Sequence, residues 1–146
     1  MSLIVNKKFD KELHGKYDNV GREIVKNYFQ KRTKFTAKDN PNEYGVDLLL
    51  FKENVLVGYA EVEVRKNWNT DKFPFDTLNV PLRKKKLLEN DLPTYFFSVN
   101  YTHTKMFCCE AETVLNSKIQ ENKNKYVNSN EYFYKVPVSE LKLITL

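Results

Sequence analysis

The chain of 146 residues has the length of one domain and is long enough to bury a substantial core. Hydrophobic residues make up 41% of it and aromatic residues 14%, which excludes a disordered chain. The net charge of +5 suits a polyanionic partner, although many soluble domains are this basic without one. No apolar stretch has the length of a membrane span or a signal-peptide core. The two cysteines, Cys108 and Cys109, are adjacent and cannot easily bridge each other. We therefore expect a cytoplasmic protein without a membrane partner.

Hydrophobic periodicity predicts a series of short helices and strands along the chain. The predicted helices cover 16–31, 80–89 and 111–120, with a terminal helical turn at 137–141. The predicted strands cover 46–51, 55–65, 94–100, 105–109 and 132–136, and connectors are expected at 33–43 and 66–81. This order predicts an α/β fold, in which a single domain over residues 1–146 has a mixed central β-sheet flanked by helices.

The most informative stretch is a β-hairpin over 44–65. A polar turn centred near Asn54 separates two apolar runs of strand length. Because side chains alternate between the faces of a strand, Glu61 and Glu63 share one face. The turn position sets Asp47 opposite the 59–61 region of the partner strand. The sequence therefore predicts three carboxylates close together at one end of the hairpin.

These carboxylates suggest a site for a divalent cation. At an effective dielectric constant near 20, each pair of acids about 5 Å apart costs roughly 3 kcal/mol. A cation removes that repulsion, and hard oxygen ligands suit Mg or Mn. The alternative is a solvated strand face on which Glu63 pairs with Arg65 or Lys66.

Two other charged features lie near this hairpin in the sequence. Glu23 neighbours the apolar stripe of the first helix, where a solvated position is favoured over one that reaches inward. A basic run at 83–86 follows the hairpin closely, with Asn79 as the expected helix cap and Pro81 in the first turn. Such a run is usually a solvated face, but beside an acidic site it makes phosphate contacts plausible.

The order of these motifs resembles the PD-(D/E)XK nuclease superfamily, whose fold is restriction-endonuclease-like. That family has an early helix that often carries a Glu, a strand with an Asp, a hairpin partner with Glu-x-Lys, and a helix with basic residues. The matching positions are Glu23, 45–47, 61–63 and 80–85, and the resemblance spans about residues 20 to 90. Glu63 stands where the family has its lysine. Some restriction enzymes of the superfamily use Glu-x-Glu, and in other members the lysine has moved to another element.

The resemblance implies a metal-dependent endonuclease that hydrolyses phosphodiester bonds in DNA. Asp47 and Glu61 would hold Mg or Mn, with the carbonyl of Val62 as a further ligand. Glu63 would orient or deprotonate a water, and Glu23 would bind the metal through water or position a neighbour. The basic residues Arg83, Lys84, Lys66 and Lys86 would contact the substrate, and Lys66, Lys84 or Lys86 could supply the missing positive charge.

The resemblance also implies an oligomeric state, and two other functions are alternatives to the nuclease. Small members of the superfamily are often homodimers, because cutting both strands requires two sites. A catalytically inactive module on the same fold would still bind nucleic acid, with salt dependence and without metal. The other alternative is a structural or interaction protein, whose acids pair with its many lysines.

Overall fold

The structure is a computed structural model that describes residues 19–123 and 130–146, and it contains two β-sheets and one long helix. The strands are β1 Thr36–Asp39, β2 Leu48–Lys52, β3 Val55–Arg65, β4 Thr77–Pro81, β5 Thr94–Asn100, β6 Lys105–Glu110, β7 Lys118–Lys123, β8 Asn130–Pro137 and β9 Lys142–Thr145. The helices are α1 over 19–32, α2 Lys85–Leu88 and α3 Ala111–Leu115, with 3-10 turns at Leu82–Lys84 and Val138–Glu140.

The larger sheet has six strands in the order β1-β2-β3-β5-β6-β9. Its central pair, β3 and β5, is parallel, and its other neighbouring strands are antiparallel. The smaller sheet is antiparallel, with the order β4-β8-β7. The prediction of a mixed central sheet in an α/β domain is therefore confirmed, whereas the second sheet was not predicted.

Two hydrophobic cores cover the two faces of the larger sheet. On one face, Val25 and Phe29 of α1 pack with Leu48, Val62 and Phe97. The helix lies close to the sheet, because a Cβ added at Gly21 would be 3.1 Å from the methyl groups of Val62 and Val64. On the other face, the second sheet and the short helices pack around Trp68, Phe96, Phe107 and Tyr134.

The hairpin of β2 and β3 forms as the sequence predicts. Its two turn residues, Glu53 and Asn54, have φ values of 51° and 67°, which gives the two-residue turn that matches the twist of the strands. Leu48 pairs with Ala60, which is the predicted register, and the register shifts between Leu50 and Phe51. The even-numbered face of β3 around Ala60 is buried under α1, so the odd-numbered residues point to the other face.

Three predicted segments are wrong in detail, and one strand was not predicted. The connector 33–43 contains the edge strand β1, and strand β9 was not predicted. Strand β1 has one buried residue, Ala37, and strand β9 has one, Ile144, so neither strand shows an alternating pattern. The connector 66–81 contains β4. The helix predicted over 111–120 ends at Leu115, and residues 118–120 belong to β7, whose pairing with β8 overrides local propensity.

The basic helix also begins later than predicted. Val80 and Pro81 belong to β4, and the helical segment starts at Leu82 with Pro81 as its N-cap. Asn79 does not cap it, because its side-chain oxygen accepts a hydrogen bond from the Thr77 hydroxyl. The helix predicted over 16–31 is present from 19 to 32, and residues 16–18 lie outside the described part of the chain.

Candidate functional site

The end of the hairpin brings two carboxylates side by side. Asp47 precedes β2, and extending the Leu48–Ala60 register by one residue sets it opposite Glu61. The backbone N–H of Val62 donates to Asp47 Oδ2 at 2.8 Å, and the backbone N–H of Asp47 approaches Glu61 Oε1 at 3.3 Å. Each carboxylate is therefore held by a backbone group on the opposite segment, and the pair is fixed by the hairpin itself.

Lys84 completes this cluster from a different part of the chain. It ends the 3-10 turn Leu82–Lys84 that follows β4, and its Nζ donates to Glu61 Oε2 at 2.8 Å. The side chains of both residues are largely buried, with exposed fractions of 18% for Lys84 and 4% for Glu61. Lys84 is one of the four basic residues proposed from the sequence, and the structure joins it to a site carboxylate.

Burial dominates the electrostatics of Glu61. Removal from water raises the pKa of its carboxyl to about 7, and the neighbouring Asp47 adds to this rise while Lys84 opposes it. Burial also lowers the pKa of Lys84, but the attraction of Glu61, Glu63 and Asp47 outweighs it and raises that pKa above its usual value. Near neutral pH the lysine is therefore charged, while Glu61 is close to its titration midpoint.

Glu63 has a partner of its own. Arg65, two residues along the same face of β3, donates to Glu63 Oε1 at 2.9 Å. The Arg65 guanidinium also donates to the Ser98 hydroxyl at 3.2 Å and to the backbone carbonyl of Asn79 in β4. The structure thus shows the ion pair that was the alternative to a third metal ligand. Sequence reasoning missed the link from Arg65 to β4, although the shared parity of Glu63 and Arg65 indicated their contact.

Glu23 lies on the other side of the larger sheet from Asp47 and Glu61. The Glu23 side chain is 65% exposed and pairs with Lys26 at 2.7 Å, on a helix that covers the opposite face of the sheet. No hydrogen bond joins Glu23 to Asp47 or Glu61 among the residues that the structure describes. Lys66 and Lys86 are exposed, and Arg83 is exposed beside Lys84.

The carboxylate oxygens of Asp47 and Glu61 suit a magnesium ion that takes only a few of its ligands from the protein. The described residues contain no group of three or more His, Cys, Asp or Glu able to hold a metal. Mg²⁺ is, however, usually bound by one or two carboxylates, together with water and substrate phosphate, as Asp47 and Glu61 would allow. The N–H of Val62 points to Asp47, and the carbonyl of a strand residue points to the same edge as its N–H. Val62 can therefore offer the third oxygen.

The two cysteines have raised pKa values. Burial raises the pKa of both Cys108 and Cys109 to about 12, so both thiols stay protonated at neutral pH. They lie on opposite faces of β6 and are free.

Comparisons with protein-family models, with curated proteins and with solved structures found no match. None of the helices in the described residues has the length and apolar character needed to cross a membrane.

Proposed function

We propose that this protein is a metal-dependent endonuclease of the PD-(D/E)XK type that hydrolyses phosphodiester bonds in DNA, with Lys84 in the role of the family lysine. The observation that carries the proposal is the 2.8 Å contact of Lys84 with Glu61, beside Asp47. The family places its lysine two residues after the second acid, where this chain has Glu63. In this chain Lys84, from the turn after β4, contacts Glu61, which stands at the position of the second acid.

The order of elements supports this proposal. A helix precedes a strand that begins after the Asp, its hairpin partner carries the Glu, and a short basic helical segment follows, as in the family. The buried pair of Glu61 and Lys84 is also costly to build, because both charges lose water and burial raises the pKa of the acid. Groups with such perturbed pKa values cluster at functional sites.

Each residue has a distinct role in the proposed reaction. Asp47 and Glu61 would hold Mg²⁺ through carboxylate oxygens, with Val62 offering its carbonyl. The cation would supply Lewis acidity at the scissile phosphate and would activate a water.

Lys84 is charged, so it acts by holding the attacking water or a phosphate oxygen rather than by removing a proton. Arg83, exposed beside it, binds phosphate. Arg65 fixes Glu63 and holds β4, the strand that leads to Lys84.

The test is a cleavage assay on plasmid and oligonucleotide DNA with Mg or Mn. Asp47→Asn, Glu61→Gln and Lys84→Met should each abolish cleavage, because each removes a ligand or the positive charge. Lys85→Met is the matched control, since Lys85 is exposed and its carboxylate contact is a long 3.8 Å pair with Glu89. Retained cleavage in both Asp47→Asn and Glu61→Gln would refute the proposal. Metal-independent, salt-dependent binding without cleavage would favour an inactive nucleic-acid-binding module instead.

A further inference from the structure

We propose that a small pocket beside Lys84 is a subsite for one unpaired nucleobase of the nucleic-acid substrate. This inference rests on the proposed function, and it extends that function by naming the substrate class as single-stranded or locally unpaired nucleic acid.

The pocket is formed in part by residues that are adjacent to Lys84 in the sequence. Its volume is about 330 Å³, and its lining residues come from the end of β4 and the turn after it, and from the start of β8: Pro81, Leu82, Arg83, Glu131 and Tyr132. The first three directly precede Lys84 in sequence. Pro81 pairs with Phe133 in the second sheet, which brings Tyr132 to the same edge. A ligand in the pocket therefore contacts residues that directly precede Lys84, whose Nζ donates to Glu61.

The lining residues have the chemistry of a base-binding site. Tyr132 is 47% exposed, so its ring can stack on a planar ligand, while Pro81 and Leu82 add an apolar surface. The exposed Arg83 can contact the phosphate attached to that base. The Glu131 carboxylate can accept a hydrogen bond from an exocyclic amino group, as acidic side chains do with cytosine.

The size of the pocket and the exposure of Tyr132 favour an unpaired base. Its volume is at the lower end of the range for ligand pockets, which suits one nucleotide unit rather than a larger molecule. A base inside a duplex has both faces covered by its neighbours. It can stack on Tyr132 only at a strand end, in a single strand or after it leaves the stack.

The experiment measures binding separately from cleavage. The wild-type protein is titrated, with EDTA present, against a fluorescently labelled single-stranded DNA oligonucleotide and against its blunt duplex. Tyr132→Ala should weaken binding of the single strand by about tenfold or more, the effect of losing one stacked base. Tyr132→Phe should keep wild-type affinity, because the ring remains. Phe35→Ala is the matched control, since Phe35 is also partly exposed but lines a cavity on the α1 side of the larger sheet.

The outcomes separate the two proposals. Affinity for the single strand that is unchanged in Tyr132→Ala overturns the subsite, whether or not the protein cleaves DNA. Failure of the wild type to bind either oligonucleotide overturns it as well. Tyr132-dependent binding without any cleavage in Mg or Mn supports the subsite and refutes the nuclease. Circular dichroism of each variant shows that the fold is retained.

Discussion

Replacing Lys84 with Met should make the stability of the protein depend on pH in a specific way. With Lys84 present, burial raises the pKa of Glu61 to about 7, and Lys84 is the main group that keeps it from rising further. Lys84→Met removes the positive charge that lowers the pKa of Glu61, so this pKa rises above its wild-type value. Below pH 7 the carboxyl is protonated in both folded proteins, and their difference in free energy of unfolding should not change with pH.

Above pH 7 the two proteins diverge. Folded wild type releases the Glu61 proton near pH 7, whereas the folded variant keeps it, and the unfolded chains of both have already lost it. The variant should therefore lose about 1.4 kcal/mol of stability for each further pH unit, relative to wild type. The divergence continues up to the pKa of Glu61 in the variant, and over two pH units it amounts to roughly 3 kcal/mol, which is the lower end of the cost of breaking a buried ion pair.

Urea unfolding of both proteins at pH 6, 7, 8 and 9 measures this divergence. Two controls define its origin. The double variant Lys84→Met with Glu61→Gln has no carboxyl to titrate, so its difference from Glu61→Gln alone should not grow above pH 7. Lys85→Met removes an exposed lysine and should give a small difference with no dependence on pH. A constant difference between wild type and Lys84→Met from pH 6 to 9 would refute the reasoning.

Three other predictions concern the hairpin and the cation site. Mg or Mn at about 100 times its dissociation constant should stabilise wild type by about 2.7 kcal/mol in a thermal melt and leave Asp47→Asn unchanged; equal shifts in both proteins would place the cation elsewhere. Glu53→Asn should stabilise by up to about 1 kcal/mol in urea unfolding, because Glu53 has a φ of 51°, which Asn tolerates better; a loss of stability would contradict this. Gly58→Ala should destabilise by about 1–3 kcal/mol in the same assay, because its Cβ would lie 2.6 Å from the backbone oxygen of Pro93; an unchanged midpoint would show that this contact can relax.

The part of the site that the sequence predicts follows from turn geometry and from the alternation of side chains along a strand. The turn at 53–54 sets the register, and the register sets Asp47 opposite Glu61. The alternation of side chains along β3 separates its acidic face from the face under α1. These features depend on neighbouring residues and on one tight turn, so they can be deduced from the order of residue types.

The weakly patterned segments could not be deduced in this way. Strand β1 is a four-residue edge strand with one buried residue, and its polar neighbours look like a connector. Residues 118–120 include Ile119, an apolar position four residues after Leu115, yet they pair with β8. In both cases the partner strand, rather than the local sequence, decides the structure.

The sequence by itself therefore determined the hairpin, its register and the meeting of two carboxylates, because these follow from turn chemistry and from the two-residue period of a strand. Only the tertiary structure decided that Lys84 joins them. Lys84 reaches Glu61 because β4 pairs with β8, which is more than 50 residues away in the chain, and because Arg65 holds the backbone of Asn79. The shifted pKa of Glu61 has the same origin, since packing around the carboxyl removes it from water.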